Sequence, residues 1–446
     1  MSALSLSKSI FLTGALGIAP LLAQTTTPGQ LDTTFPTISV TPAGAHVRTA
    51  VPQLDGNLLI AGSFGTINTN TRLHAARLLA ATGTFDSYHP QFNSYVNNVV
   101  VDPDGSAIYC GAFTGVNGTT VRQYVGRFAS NGTLSNTFLP AVPSIANTVA
   151  KQNNNYIVAS QVGLHRYLSS GNVDNTFDDY LGNTLTNAVL HTAVQPDGNI
   201  LMGGPFVATT SAVNNMYFER ISGFQGKVDA TFKNPILNGK VNTSSLQKDG
   251  SIIVGGAFTT VTPGGNTVGR DGLIRLLSGG TFDASFAPQL SITGGGTPSV
   301  NCIATQADGK LLVGGLFTTV GHTISGTTTS YTRRGIARFN PNGTVDPTFD
   351  AKINSAAYEV TSISILGDGK VLITGNFDYF NSVPRSSLVR LHNDTTSIVN
   401  DLRAANSTTV RWMRGGALPE ITSATFQYST NGATWFPLGT GTGTRI

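Results

Sequence analysis

Short apolar runs, each followed by a polar turn, recur along almost the whole chain at regular spacing. The clearest copies read QPDGNILMGGPF, QKDGSIIVGGAF and QADGKLLVGGLF. Runs such as LLVGG and SIIVGG are apolar at successive positions instead of alternating, which is the pattern of a strand covered on both faces. Asp-Gly between two such runs predicts a tight hairpin with a primed turn, because glycine accepts positive φ at no steric cost. These pairs begin at Asp55, Asp104, Asp197, Asp249, Asp308 and Asp368, and Asn153-Asn154 fills the equivalent place in KQNNNYIVAS, with Asn154 expected to adopt the turn conformation. The marks are seven, at intervals of 49, 49, 44, 52, 59 and 60 residues, and define units 1 to 7. A glycine, paired in units 4 to 6, followed two residues later by Phe64, Phe113, Phe206, Phe258, Phe317 or Phe377 implies a close backbone approach with an aromatic packed beside it.

Each unit then carries a strand centred on an arginine with apolar neighbours: Arg77, Arg127, Arg166, Arg220, Arg275, Arg338 and Arg390. A fourth element of the form G-x-L/V-D-x-T-F follows, as in GNVDNTF, GKVDATF and GTVDPTF. In unit 2 Ser135 replaces its acid, and in unit 1 the string GTFDSYH places His89 where the aromatic belongs. Unit 7 has no such element after Arg390, yet residues 29–35 read GQLDTTF ahead of unit 1. A linear array has no use for that stray copy, whereas a ring does: the N-terminal strand completes the last unit and leaves no exposed sheet edge. The expected fold is all-β, a seven-bladed β-propeller of four-stranded blades over residues 29–395, closed by its N-terminal strand.

The ordered combination of PDG-x-I-L-V-G-G-x-F, A-R-L and G-x-L-D-x-T-F resembles the delta-60 repeat β-propeller family over roughly Gly29 to Leu391. Unit 3 departs most, having no Asp-Gly, no Gly-Gly-x-Phe and HRY in place of A-R-L. The resemblance implies architecture and a tendency to occur in exported bacterial proteins. It implies no reaction.

Composition agrees with a large closed repeat. The 446 residues include 51 glycines, and only 11% are charged against 40% hydrophobic, which argues against disorder. A net charge of +4 without a basic patch argues against a nucleic-acid or anionic-membrane partner. Residues 1–23 carry Lys8, then an apolar run to Leu22 and a small residue, Ala23. This predicts a cleaved signal peptide, no membrane span in the mature chain, and a secreted or cell-surface location. After Asn400 both tryptophans appear, Trp412 and Trp435, and Asn431-Gly432 predicts a hairpin. Residues 396–446 are therefore expected to be a linker and the start of a truncated β-sandwich-like domain. Cys110 and Cys302 fall in non-adjacent units, so no disulfide is expected.

The search for chemistry finds framework more readily than reaction centres. The seven histidines share no repeat position and form no zinc signature. Asp102 and Asp104 in VDPDG lack the further ligands of a calcium loop, and turn stabilisation explains Asp104 as it does its counterparts. No metal and no cofactor is expected. The seven arginines could line a channel for an anion, but a ligand does not require the same residue with the same neighbours in every unit. A structural clamp is preferred, with Asp32, Asp86, Asp174, Asp229, Asp283 and Asp346 as carboxylate partners, and Arg127 is left to find another acceptor.

The long variable loops SFGTINTNTRLHA, FTTVTPGGNTVGRDG and FTTVGHTISGTTTSYTRRG fall between the second and third strands, on one face. Loops on one face of a rigid scaffold commonly bind partners. In the longest, Tyr331, Arg333 and Arg334 are the candidate contact residues. The expected function is a monomeric, non-catalytic scaffold or binding module for an extracellular glycan or surface protein. The alternative is an extracellular polysaccharide-acting enzyme with carboxylates at the central channel.

Overall fold

A computed structural model describes residues 27–80, 82–177, 187–210, 213–394, 398–406, 409–421, 423–428 and 436–442. The expected signal peptide, the Asn431-Gly432 hairpin and Trp435 lie outside them. The described chain is all-β and contains no helix.

Seven antiparallel three-stranded sheets correspond to the seven sequence units. Unit 5 shows the pattern: Val241–Leu246 pairs with Ile252–Gly256, which pairs with Leu273–Leu276. The middle strand is buried at every position in units 1, 2 and 5, as its unbroken apolar run requires. The cores lie between units. Leu59 and Ala61 of unit 1 pack with Tyr109 and Phe113 of unit 2, and Leu372 and Leu388 of unit 7 pack with Val47 and Ile60 of unit 1. Such a core needs a neighbouring sheet on each side, so one unit alone cannot bury its apolar surface.

The Asp-Gly turns differ in detail from the primed two-residue turn. In unit 1 the amide of Gly56 donates to the carbonyl of Gln53 at 3.0 Å, and the amide of Gln53 donates to that of Asn57 at 2.8 Å. This encloses a three-residue loop with Gly56 at φ 84°. The aspartate has its own task, since Asp55 Oδ1 accepts from the Asn57 amide at 3.0 Å, and Asp104, Asp197, Asp249, Asp308 and Asp368 do likewise. Unit 3 makes the tighter turn, with Gln152 opposite Asn155. There Asn153, and not Asn154, takes the positive φ, at 54°.

The fourth element is shorter than a strand. It touches the third strand through one isolated bridge per unit, such as Leu276–Phe282 and Phe339–Val345. The following aspartate then turns the chain by accepting from the amide two residues on, as Asp283 does from Ser285 at 2.9 Å, so the ladder stops. For unit 7 the bridge is Leu31–Leu391, and the Asp32 amide donates to the Arg390 carbonyl at 2.8 Å.

The first strands of successive units pack side by side, and that of unit 7 packs against that of unit 1. Six of them contain a register shift, and the skipped residue is Arg48, Asn97, Asn147, Asn242, Asn301 or Thr361. These bulge residues reach the next unit. Asn97 Nδ2 donates to Ala146 O at 3.0 Å, Asn147 to Val189 O at 2.9 Å, Asn242 to Val300 O at 3.2 Å and Asn301 to Val360 O at 3.2 Å. Arg48 donates to Asn97 Oδ1 at 2.7 Å, and Thr361 Oγ1 donates to Arg48 O at 3.0 Å. Unit 4 substitutes the adjacent residue, with His191 Nε2 2.9 Å from Ser244 Oγ.

The bulge explains the glycine that ends the apolar run of the second strand, which is the second of a pair in units 4 to 6. A Cβ on Gly256 would stand 2.2 Å from the Lys240 carbonyl oxygen, and Gly62, Gly111, Gly204, Gly315 and Gly375 face the same obstruction at 2.0 to 2.3 Å. We expect Gly256→Ala to cost about 3 kcal/mol, the range of a forced core overlap. The urea midpoint measures this, and a loss under about 0.5 kcal/mol would show that the bulge yields freely.

Candidate functional site

The most repeated polar assembly joins the third strand to the fourth element. Each of Arg77, Arg166, Arg220, Arg275, Arg338 and Arg390 pairs with Asp86, Asp174, Asp229, Asp283, Asp346 and Asp32 respectively, at 2.5 to 2.9 Å. An aromatic ring underlies each guanidinium at 4.4 to 5.2 Å: Tyr88, Phe177, Phe232, Phe286, Phe349 and Phe35. One further nitrogen crosses to the following unit. Arg77 Nη1 donates to Ser130 O at 2.7 Å, Arg220 to Ser278 O at 3.0 Å and Arg275 to Pro341 O at 2.6 Å. Arg338 reaches Asn393 Oδ1 at 2.5 Å. The D-x-T-F string thus supplies an ionic partner, a hydroxyl that helps hold it, and a ring for the cation. In unit 1 the ring is Tyr88, one residue before His89, so position counting along the string missed it.

Unit 2 moves its carboxylate. With Ser135 in the fourth element, Arg127 Nη2 turns back to Asp102 at 3.2 Å. Asp102 is 4% exposed and also accepts from Tyr156 Oη at 2.5 Å and from Lys151, both of unit 3. The position of Asp102 is held by Gln53, Gln152, Gln195, Gln247 and Gln306 in other units. The acceptor that sequence reasoning lacked is therefore an acid at the end of the first strand, and it staples the most divergent unit to its neighbour.

The connections between second and third strands are small sheets. Thr319–Ile324 pairs with Thr327–Thr332, and Gln289–Ser291 joins the first of these strands. Thr66–Ile67 and Thr260–Thr262 seed similar hairpins in units 1 and 5. In units 1, 2, 5 and 6 a second arginine ends the connection. Arg72, Arg122, Arg270 and Arg333 each donate to the carbonyl of the preceding residue and to one in the fourth element. Their surroundings vary enough to hide this series in the sequence.

Of the three candidate contact residues, Arg333 is thus buried and occupied, donating to Phe349 O at 3.1 Å and Pro347 O at 3.1 Å. Tyr331 is half-buried and stacks with His322 at 6.4 Å. Arg334 lies over the Tyr358 ring at 4.4 Å, with no hydrogen bond at Nε. The three are neighbours in sequence, but their side chains serve different surroundings. Cys110 and Cys302 are both free thiols, and burial raises both above the usual thiol range.

At the opposite end, residues 416–420 lie along unit 6. The Ala307 amide donates to Leu418 O at 2.8 Å and the Glu420 amide to Thr305 O at 2.9 Å, and Ala417 and Leu418 are buried. The chain after unit 7 therefore docks at the end that carries the Asp-Gly turns.

The profile of DUF5122, a domain of unknown function described as a beta-propeller, matches residues 53–87, 247–286, 306–349 and 366–396. This supports membership of a β-propeller repeat family. No curated protein matches the sequence. Similar solved structures include the WD40 beta propeller domain of Doa1, at 13% identity and TM-score 0.48, covering 83% of this chain and 98% of that one. The computationally designed Ika8 protein shows 11% identity and TM-score 0.45, covering 79% of this chain and 98% of that one. The extracellular domain of the putative one component system BT4673 from B. thetaiotaomicron shows 13% identity and TM-score 0.43, covering 84% of this chain and 41% of that one.

Two predictions follow from the site. Asp102→Gln strands Arg127 and Lys151 and should cost about 2–4 kcal/mol; adding Ser135→Asp should restore at least half, measured by urea unfolding. Additive losses in the double variant would contradict the relocated carboxylate. The second concerns pH. Removal from water lowers the His191 pKa to about 4, against an ordinary value of 6.5. Between these values the unfolded chain binds a proton that the folded chain does not, so stability falls as pH falls, by at most about 1.4 kcal/mol per pH unit. For Asp346, burial alone would raise the pKa, but Lys310, Thr348 and Arg338 hold it at about 2. Its contribution is present above the ordinary value of 3.8 and is lost only as pH falls towards 2. His191→Asn should flatten the stability profile between pH 6.5 and 4, and an unchanged slope there would assign it to other groups.

Proposed function

We propose that this chain is a secreted, seven-bladed β-propeller of the delta-60 repeat type that serves as a non-catalytic binding scaffold. In this reading residues 1–23 direct export, residues 29–395 form the ring, and 396–446 belong to an appended β domain. Each blade has three ladder strands and a bridged fourth element, and GQLDTTF closes the ring onto unit 7. The bridge between Leu31 and Leu391, the pairing of Asp32 with Arg390 and the donation from Thr361 to Arg48 support the closure.

The observation that carries the binding role is the separation of two ends. One end holds short uniform turns and the docked segment 416–420; the other holds hairpins that differ in length and surface from unit to unit. A fixed ring with one variable end suits recognition of an extracellular glycan or surface protein. Tyr331 and Arg334 are the contact residues of this reading, and Arg333 positions them. The framework aspartates are poor acid–base candidates, because each is already paired with its arginine. Against the opposing effect of burial, hydrogen bonds from lysine, threonine or serine together with that arginine hold Asp32, Asp174, Asp229, Asp283 and Asp346 below the ordinary carboxylate range.

Closure is tested through Asp32, which is 1% exposed and lies 2.8 Å from both Arg390 and Lys370. Asp32→Asn should cost about 2–3 kcal/mol by urea unfolding; no loss would leave the N-terminal strand without a closing role. Binding is tested on glycan arrays and by pull-down from cell-surface extracts. Tyr331→Ala with Arg334→Ala should weaken capture at least tenfold while Asp55→Asn, at the turn end, leaves it intact. Equal capture by both variants would sink the loop-end reading.

A further inference from the structure

A groove of about 460 Å³ runs between the outer hairpins of units 5 and 6. Its unit-6 wall is the outer face of the sheet formed by Gln289–Ser291, Thr319–Ile324 and Thr327–Thr332. Because side chains alternate along a strand, Leu290 and Val320 point inward and are buried, while Gln289, Ser291, Thr328 and Ser330 point outward and are exposed. Gly321, opposite both Gln289 and Ser330, puts no side chain on this wall. The result is a recess bordered by hydroxyl and amide groups, without a large apolar side chain on its open face.

The unit-5 wall presents Asp271. Neighbouring Arg270 is committed to backbone, donating to Gly269 O at 2.8 Å and Ala284 O at 3.2 Å. Asp271 has neither a hydrogen bond nor an ion pair among the described residues, and partial burial raises its carboxyl above the ordinary range. The equivalent position, after Arg72, Arg122, Arg333 or the corresponding Arg385 of unit 7, is Leu73, Gln123, Arg334 or Ser386, so the repeat does not require an acid there.

We propose that this groove binds a neutral oligosaccharide, with Asp271 accepting hydrogen bonds from two neighbouring sugar hydroxyls and Gln289 and Ser330 meeting others across the recess. The inference rests on the loop-end binding role and moves its sugar contacts from Tyr331 and Arg334, which do not line this cleft, to one groove and one ligand class. A carboxylate with two free oxygens suits a vicinal diol, and each sugar hydroxyl can both donate to Asp271 and accept from an amide or hydroxyl of the facing wall. The same carboxylate repels uronic and sulfated sugars. Filling the groove also offsets the cost of leaving Asp271 partly desolvated and unpaired.

The test is calorimetric titration of the full chain with cello-, xylo- and manno-oligosaccharides and with oligogalacturonate as the anionic probe. At least one neutral oligomer should bind and oligogalacturonate should not. Asp271→Asn should weaken that binding at least tenfold, and Ser330→Trp should abolish it by filling the recess. Thr329→Trp, on the opposite face of the same strand, should bind as the parent does. Neutral-sugar binding unaffected by Asp271→Asn and Ser330→Trp would overturn the groove while leaving the loop-end role standing. Binding of oligogalacturonate alone would overturn the ligand class. If no sugar binds, the groove proposal falls; the broader role then survives only through a protein captured at the loop end.

Discussion

A guanidinium in the third strand is shared among three neighbours: a carboxylate in its own unit, an aromatic ring beneath it, and in several units an acceptor just beyond the third strand of the next. Arg338 is fully buried and Arg166 nearly so, so their charges would be costly without compensation. The compensation is ionic within a unit and dipolar between units, which ties a unit's internal fold to the placement of its neighbour. Sheets that bury both faces need this, since apolar packing between them has little directional preference. The arginine supplies direction at the outer part of each sheet.

The inner part is organised by different chemistry. A bulge in the first strand lifts one polar side chain out of register, and that side chain donates to the next first strand. The bulge brings the first strand's carbonyl against the second strand, where six units place a glycine and unit 3 the buried Ser160. Glycine, bulge and cross-unit hydrogen bond coincide in units 1, 2, 5, 6 and 7. Loops between the second and third strands lie outside both sets of contacts, which explains why they vary in length while the repeat persists.

Much of this was legible in the sequence because it repeats. The apolar runs, the arginines and the stray GQLDTTF all stand in register, and the all-β architecture follows from them. What was not legible depends on contacts that carry no fixed spacing. Tyr88 replaces the expected ring from one residue earlier because unit 1 rearranges its turn. Asp102 takes over from Ser135 across the sheet, at a position where five of the other units use glutamine and unit 7 uses Leu366. Arg72, Arg122, Arg270 and Arg333 form a second series whose carbonyl partners leave no sequence trace, so the sequence offers Arg333 as a contact residue although its donors are already engaged. The groove at Asp271 is assembled from two units and could not be found from either alone.

Closure of the ring by the N-terminal strand is the claim on which the rest depends, and amide hydrogen exchange followed by mass spectrometry tests it most directly. The Gly29 amide donates to His392 O, the Asp32 amide to Arg390 O and the His392 amide to Gln30 O, each at 2.8 Å. The account predicts that peptides covering 29–35 and 386–394 are protected to the same degree as the second strands of units 4 and 5, and lose protection together with them in rising denaturant. Rapid exchange of 29–35 while those strands stay protected would contradict it.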